Sequence, residues 1–224
     1  VLRYVIYMIR TYLLMCAAAI TVLCVTGFPT VGLARVSYFV NQETMYSNLG
    51  NFPKWKGVLS RYFESSDILN QPCGGTKFNP CKLREWQAFL DGMQGRGLRE
   101  QVDKVNHYIN KNPYILDIDN WGVNDYWATP YEFQKRSGDC EDYAIAKFMS
   151  LRALGVPNEQ MRVIIVQDLN LGGIIHAVLI VFVEGQVLVL DNQSEQVKNA
   201  LDIYHYKPIY SINETHWWKH VPIQ

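Results

Sequence analysis

The chain has 224 residues, 49% of them hydrophobic and 13% aromatic, with 21 basic and 21 acidic side chains that leave no formal net charge. Such a balance has none of the basic excess of a nucleic-acid binder. The length and apolar content instead suit a domain with a sizeable core.

Residues 1–34 read as an export signal: a short basic start with Arg10, an apolar stretch from Tyr12 to Thr26, and Gly32-Leu33-Ala34 as a small-residue cleavage site. The apolar stretch is at the lower limit for a membrane span, so an uncleaved anchor is the competing reading. Residues 35–224 are then expected to form a single domain. Removing the segment's two Arg from the 21 basic residues leaves 19 against 21 acidic ones, a formal charge of −2. Cys73 and Cys81 bracket a Gly/Pro loop and are expected to pair in an oxidising compartment. Cys140 is left as the odd thiol, the place to look for a reactive cysteine.

Helical spacing of Trp55, Val58, Leu59 and Tyr62 predicts a helix over Lys54 to Tyr62, and Leu83, Trp86, Phe89, Leu90 and Met93 predict a second. A third, Leu98 to Asn110, carries Leu98, Val102, Val105 and Ile109 on one face and stops before Pro113. The stretch from Tyr114 to Pro130 has little period and holds Asp117, Asp119, Asn120, Trp121, Asn124, Asp125, Tyr126 and Trp127. It reads as a long ordered loop, and loops of that length in compact domains are often functional.

Tyr143, Ala144, Phe148, Leu151 and Leu154 then define a helix that starts at Cys140 and ends at Gly155, with Pro157 beyond it. Strands are expected over Arg162 to Gln167, Ile174 to Val183 and Gln186 to Asp191, the last two joined by a tight turn at Glu184-Gly185. The tail, with Tyr204, Tyr206, Ile209, Tyr210, Ile212, Trp217 and Trp218, alternates loosely and should add one or two strands.

Cys140 sits in Ser137-Gly138-Asp139-Cys140-Glu141-Asp142-Tyr143 at a helix start, where free N–H groups and the macrodipole favour a thiolate. Downstream, His176 lies in an apolar strand and Asp191 ends the next one, so antiparallel pairing would bring the two together. Nucleophile, base and orienting acid follow in that order. Each has a blander reading: a small buried cysteine, a core histidine bonded to a carbonyl, a turn aspartate. His107 lies on a polar helix face, and His205, His216 and His220 lie in the aromatic tail. His216 and His220 have the spacing of a helical metal pair, but no helix is expected there.

Asp139, Glu141 and Asp142 would raise the thiol pKa by like-charge repulsion, which disfavours a thiol enzyme unless a cation binds nearby. A hard divalent cation such as calcium fits, with further oxygens offered by Asn124, Asp125 and Tyr126. Solvated acids and helix caps are the alternative.

Asn120-Trp121-Gly122, the Asp125 to Phe133 run, Gly138-Asp139-Cys140-Glu141-Asp142-Tyr143-Ala144, and the later His176 and Asp191 resemble the bacterial transglutaminase-like cysteine proteinases, nearest to their LapG-type periplasmic adhesin proteases. The resemblance runs from about Trp55 to the end. It implies a papain-like, transglutaminase-like α+β fold, with the nucleophile helix packed on an antiparallel sheet. It also implies a Cys140, His176 and Asp191 triad, and calcium bound by Asp139, Glu141, Asp142 and the backbone carbonyls of Asn124 and Tyr126. The implied substrate is the N-terminal region of a giant surface adhesin, cut after paired alanines to release cells from a biofilm. The implied partner is an inner-membrane cyclic di-GMP receptor that sequesters the protease. A transglutaminase or other acyltransferase with the same triad, or a non-catalytic binding module, are the alternatives.

Overall fold

The computed structural model describes residue 39, residues 41–65 and residues 80–222. The expected export signal and Cys73 lie outside the described residues. Cys81 is disulfide-bonded. No helix among the described residues is long and apolar enough to cross a membrane.

Six helices are described: α1 (Pro53–Glu64), α2 (Pro80–Met93), α3 (Leu98–Asn110), α4 (Asp117–Trp121), α5 (Pro130–Arg136) and α6 (Cys140–Ala153). Seven strands, β1 (Asn41–Tyr46), β2 (Met161–Asp168), β3 (Ile174–Val183), β4 (Gln186–Leu190), β5 (Lys198–Asn199), β6 (Tyr206–Ile212) and β7 (Trp217–Pro222), form one sheet in the order β1-β7-β6-β2-β3-β4-β5. Every pairing in it is antiparallel. The expected α+β class is the one observed.

Strands β2, β3 and β4 are apolar on both faces because both are covered. Val163, Ile165, Ala177, Leu179, Val181, Leu188 and Leu190 join the helices in one core, and the alternate residues Ile164, Val166, Val178, Ile180, Val187 and Val189 form a second with Ile203 and Tyr206. Helix α6 lies in the middle of the first core, packed on β2 and β3 and against α3 and α5. Every residue from Asp142 to Leu151 is buried, as expected of a helix with apolar side chains all round. Two buried tryptophans fix neighbours to it without stranding their indole N–H groups: Trp86 of α2 donates to Ser150 Oγ at 2.9 Å, and Trp55 of α1 packs edge-on against Phe148 at 5.6 Å while donating to the Asn213 carbonyl at 2.8 Å.

The β3–β4 turn has positive φ at Glu184 (49°) and Gly185 (78°), the backbone of a two-residue hairpin loop whose twist matches its strands. It sets Leu179 opposite Leu190 and leaves Asp191 just past the end of β4. The 114–130 segment differs from the expected plain loop. It contains α4, and α5 follows at once, begun by Pro130 in the first turn and a Thr129–Glu132 capping box in which each side chain accepts the other's backbone N–H. Strand β1 was not expected either, since NQETMY has no apolar alternation; pairing with β7 carries it, with His220 bonded to Asn41 at 2.7 Å.

Candidate active site and acidic cluster

Cys140 is the first residue of α6 and is half-buried. The chain reaches it through a strained approach. Ser137 has φ 64° and ψ −163°, a region that favours glycine, and is held there by its N–H to the Phe133 carbonyl and by Asn120 Nδ2 on its own carbonyl. Gly138 comes next, and a Cβ there would lie 2.0 Å from Asp142 Oδ2. The space a side chain would fill is taken by the Asp142 carboxylate, which accepts N–H bonds from Ala128 (2.7 Å) and Asp139 (3.4 Å). Asp142 thus ties the segment before α5 to the start of α6.

The sheet brings the next two residues together. His176 Nε2 lies 3.0 Å from Asp191 Oδ1, with both side chains buried. Asp191 Oδ1 also accepts the Gln193 N–H at 2.9 Å, and Oδ2 accepts the Tyr206 hydroxyl at 2.5 Å. Asn110 of α3 donates to the Asp191 carbonyl at 2.8 Å. Burial alone would raise the Asp191 pKa, but the bond and charge of His176, then the Tyr206 and Gln193 donors, outweigh it and hold the carboxyl down at about 2. Cys140 lies toward this pair: the N–H of Ala177, next in the chain after His176, favours its thiolate. With Nε2 committed to Asp191, Nδ1 is the imidazole nitrogen left for other chemistry.

On its other side the thiol meets acids. Cys140 Sγ donates to Glu141 Oε2 at 3.2 Å. Burial, then the Glu141 charge and hydrogen bond, then Asp139, push the thiol above its ordinary range, against the opposing Ala177 N–H. Oxygens of Asp117, Asp139 and Asp142 lie within 4.8 Å of one another, as do those of Asp117, Asp125 and Glu141. Burial raises the Asp117 and Asp142 carboxyls, and burial followed by the Glu141 charge lifts Asp139 to about 8. Asp117 Oδ1 and Asp139 Oδ1 are buried with no hydrogen-bond partner among the described residues. Unpaired hard oxygens at this density fit a divalent cation with six to eight oxygen ligands, and the residues present fit calcium.

Of the residues expected to bind metal, Asp139, Glu141 and Asp142 converge. The Tyr126 N–H and the Asp125 carboxylate reach the cluster through Asp117, Asp125 being also paired with Lys54, while Asn124 is an exposed residue of the same segment. Asp117 is the addition. Its sequence position, 22 residues before Asp139, gives no spacing signal, and α4 is what turns it inward. Tyr126 packs on Trp121 in a tilted pair (4.3 Å between ring centres), flanked by Arg61 over the tyrosine at 4.9 Å and Arg136 over the tryptophan at 4.5 Å, which braces the loop. Among the described residues His216 and His220 join no metal-binding group: His216 bonds Thr215, and His220 bonds Asn41 and Ser211 across β1, β6 and β7.

Residues 72–223 match the family described as bacterial transglutaminase-like cysteine proteinase. Among solved structures, the chain is similar to Legionella pneumophila LapG, with 31% identity and a TM-score of 0.61 over 68% of this chain and 86% of that one. The calcium-bound form of that protein aligns at 28% identity with a TM-score of 0.59, over 73% of this chain and 86% of that one. Its EGTA-treated form aligns at 31% with a TM-score of 0.61, over 68% and 83%. No curated protein matches.

Proposed function

Because the chain belongs to the bacterial transglutaminase-like cysteine proteinase family, we propose that it is a calcium-dependent periplasmic cysteine endopeptidase that cuts the N-terminal region of a large surface adhesin at a paired-alanine site. In this reading cleavage releases the adhesin and disperses a biofilm, and an inner-membrane cyclic di-GMP receptor holds the enzyme back. The observation that carries the chemistry is a bonded His176–Asp191 pair adjoining Ala177, whose N–H acts on the Cys140 sulfur, while Glu141 and carboxylates with unpaired oxygens crowd the same thiol.

Cys140 attacks the scissile carbonyl. His176 takes the thiol proton through Nδ1 and returns it to the leaving amine, while Asp191, bonded at Nε2, fixes the tautomer and steadies the imidazolium. The carboxylates of Asp117, Asp139, Glu141 and Asp142 would hold calcium, supported by the calcium-bound form of the Legionella protein. Bound there, the ion supplies positive charge that cancels the acids' repulsion of a thiolate. With Glu141 among the ligands, His176 would be the acceptor left for the thiol proton. The unpaired oxygens of Asp117 and Asp139 gain the partner they lack.

The test is cleavage of a candidate adhesin's N-terminal fragment by the purified protein. Cutting after the paired alanines is expected with calcium, with loss in excess EGTA and in Cys140→Ser, whose hydroxyl is a far poorer nucleophile beside a base tuned for a thiol. Full activity in EGTA would remove the calcium dependence. Cleavage by Cys140→Ser would remove the nucleophile assignment, and unaltered cleavage after the alanines are replaced by charged residues would remove the specificity.

A further inference from the structure

A thiolate adding to a carbonyl needs donors for the oxygen that becomes negative, and the Cys140 N–H, first in α6 and without an intrahelical partner, is one of them. The residue that meets this N–H is Tyr114. Its backbone forms a parallel bridge with Gly138, two residues before the nucleophile, sealed by the Ile115 N–H on the Gly138 carbonyl at 3.0 Å. Its ring stacks at 6.3 Å and 20° on Tyr143, which is itself anchored by its hydroxyl on the Asn112 carbonyl. The Cys140 N–H and thiol both act on the Tyr114 phenol, so its hydroxyl lies beside the start of α6. The phenol oxygen is therefore a neighbour of the place a substrate carbonyl oxygen must come to reach the same N–H.

Resting on the cysteine-peptidase reading, we infer that the Tyr114 hydroxyl is the second oxyanion donor of this site. When substrate enters, its carbonyl oxygen accepts the Cys140 N–H and the phenol swings to donate to the same oxygen. The side chain is 52% exposed, so it has room to do so while the ring stays against Tyr143. As the S–C bond forms, the carbonyl π pair moves onto oxygen, which then lies between the Cys140 N–H and the Tyr114 O–H. Tyr114 gives a hydrogen bond and keeps its proton. When the intermediate collapses, the pair returns to C=O, the C–N bond breaks, and the amine leaves with the proton from His176. Burial, then the charges of Cys140, Asp139 and Glu141, raise the phenol's pKa, which keeps the proton on Tyr114 throughout. The Trp121 indole N–H, without a hydrogen-bond partner among the described residues, is another aromatic donor in the region, but its ring is packed between Tyr126 and Arg136.

Tyr114→Phe deletes the donor and leaves the ring. With calcium present, kcat for peptide cleavage should fall about a hundredfold, the usual loss for one oxyanion donor, while KM stays within about twofold. Affinity for acetyl-alanyl-alaninal, whose adduct with Cys140 carries the same oxygen, should fall in step. Alkylation of Cys140 by iodoacetamide, which displaces iodide at a saturated carbon and creates no oxyanion, should keep its wild-type rate and shows that the variant is folded. An unchanged or higher kcat would overturn the inference and make the hydroxyl a cover over the hole. Alkylation that slows in step with cleavage would also overturn it, placing the effect on the thiol. Should the wild type join amines to glutamine peptides instead of hydrolysing, the peptidase reading fails. Acylation then still passes through the same oxyanion, and the Tyr114→Phe comparison decides as before.

Discussion

On one side of Cys140, each oxygen of the Asp191 carboxylate has a donor: His176 and the Gln193 N–H on Oδ1, the Tyr206 hydroxyl on Oδ2. On the other, Asp117 and Asp139 each bury an oxygen with no partner among the described residues, and their carboxyls are driven upward. The first side is finished when the chain folds. The second is finished only when charge arrives from outside, because desolvated carboxylates at this spacing cannot all ionise without it. One helix start therefore joins a preorganised half to a conditional half, and the conditional half holds the thiol proton through Glu141.

The largest way to break this comparison is to damage the finished half alone. Asp191→Asn should cost about a hundredfold or more in kcat through loss of the correct imidazole tautomer. Calcium affinity, measured by calorimetry, should stay at the wild-type value, because Asp191 is outside the acidic cluster. A parallel loss of calcium binding would mean that the two halves are a single network.

The conditional half should trade binding against stability. Asp117→Asn is expected to weaken calcium binding at least about tenfold, as loss of a carboxylate ligand does, yet to raise the melting temperature in chelator by removing a buried, unpaired charge. The pH dependence has a definite sign. Asp139 has a folded pKa of about 8, above its unfolded value, so its contribution to metal-free stability is full below pH about 4 and is lost as pH rises through about 8. Thermal melts in EGTA should therefore show the wild type weakening from pH 5 to pH 8, and calcium should restore most at pH 8. A flat profile in chelator would show that the acids are solvated rather than frustrated.

The finished half was more legible in the sequence than the conditional one, for physical reasons. Chain order and strand period carried Cys140, His176 and Asp191, because a hairpin with a two-residue turn fixes which residues meet. Asp139, Glu141 and Asp142 were visible as neighbours of the thiol. Asp117 was not, since a short helix inside an apparent loop brings it in. The start of α5 did have a signal, Thr129-Pro130 with Glu132 three residues past the cap, but the polar, aromatic stretch before it masked the change to helix. Tyr114 marked only the start of the aperiodic stretch, and Tyr206 was one of the tail aromatics expected in a strand. Their roles turn on where a single hydroxyl points, which period and propensity do not encode.

A smaller effect sharpens the comparison from beneath. Lys147, two turns along α6 from Cys140, is wholly buried, and its Nζ has no hydrogen-bond partner among the described residues. Burial lowers its pKa to about 7, opposed by the Asp191 charge. A lysine whose folded pKa lies below its unfolded value of about 10.4 costs stability in full below pH 7, and the cost fades as pH rises toward 10. Lys147→Met should therefore stabilise the protein at pH 6 by about 1 kcal/mol or more, the cost of an unsatisfied buried polar group, with little gain at pH 10. If the Asp191 side is complete in its own hydrogen bonds, kcat at neutral pH should stay within about threefold, since Tyr206, Gln193 and His176 remain to hold the carboxylate. A fall as large as that of Asp191→Asn would show that Asp191 needs the lysine's charge as well, and the finished half would have to be redrawn to include it.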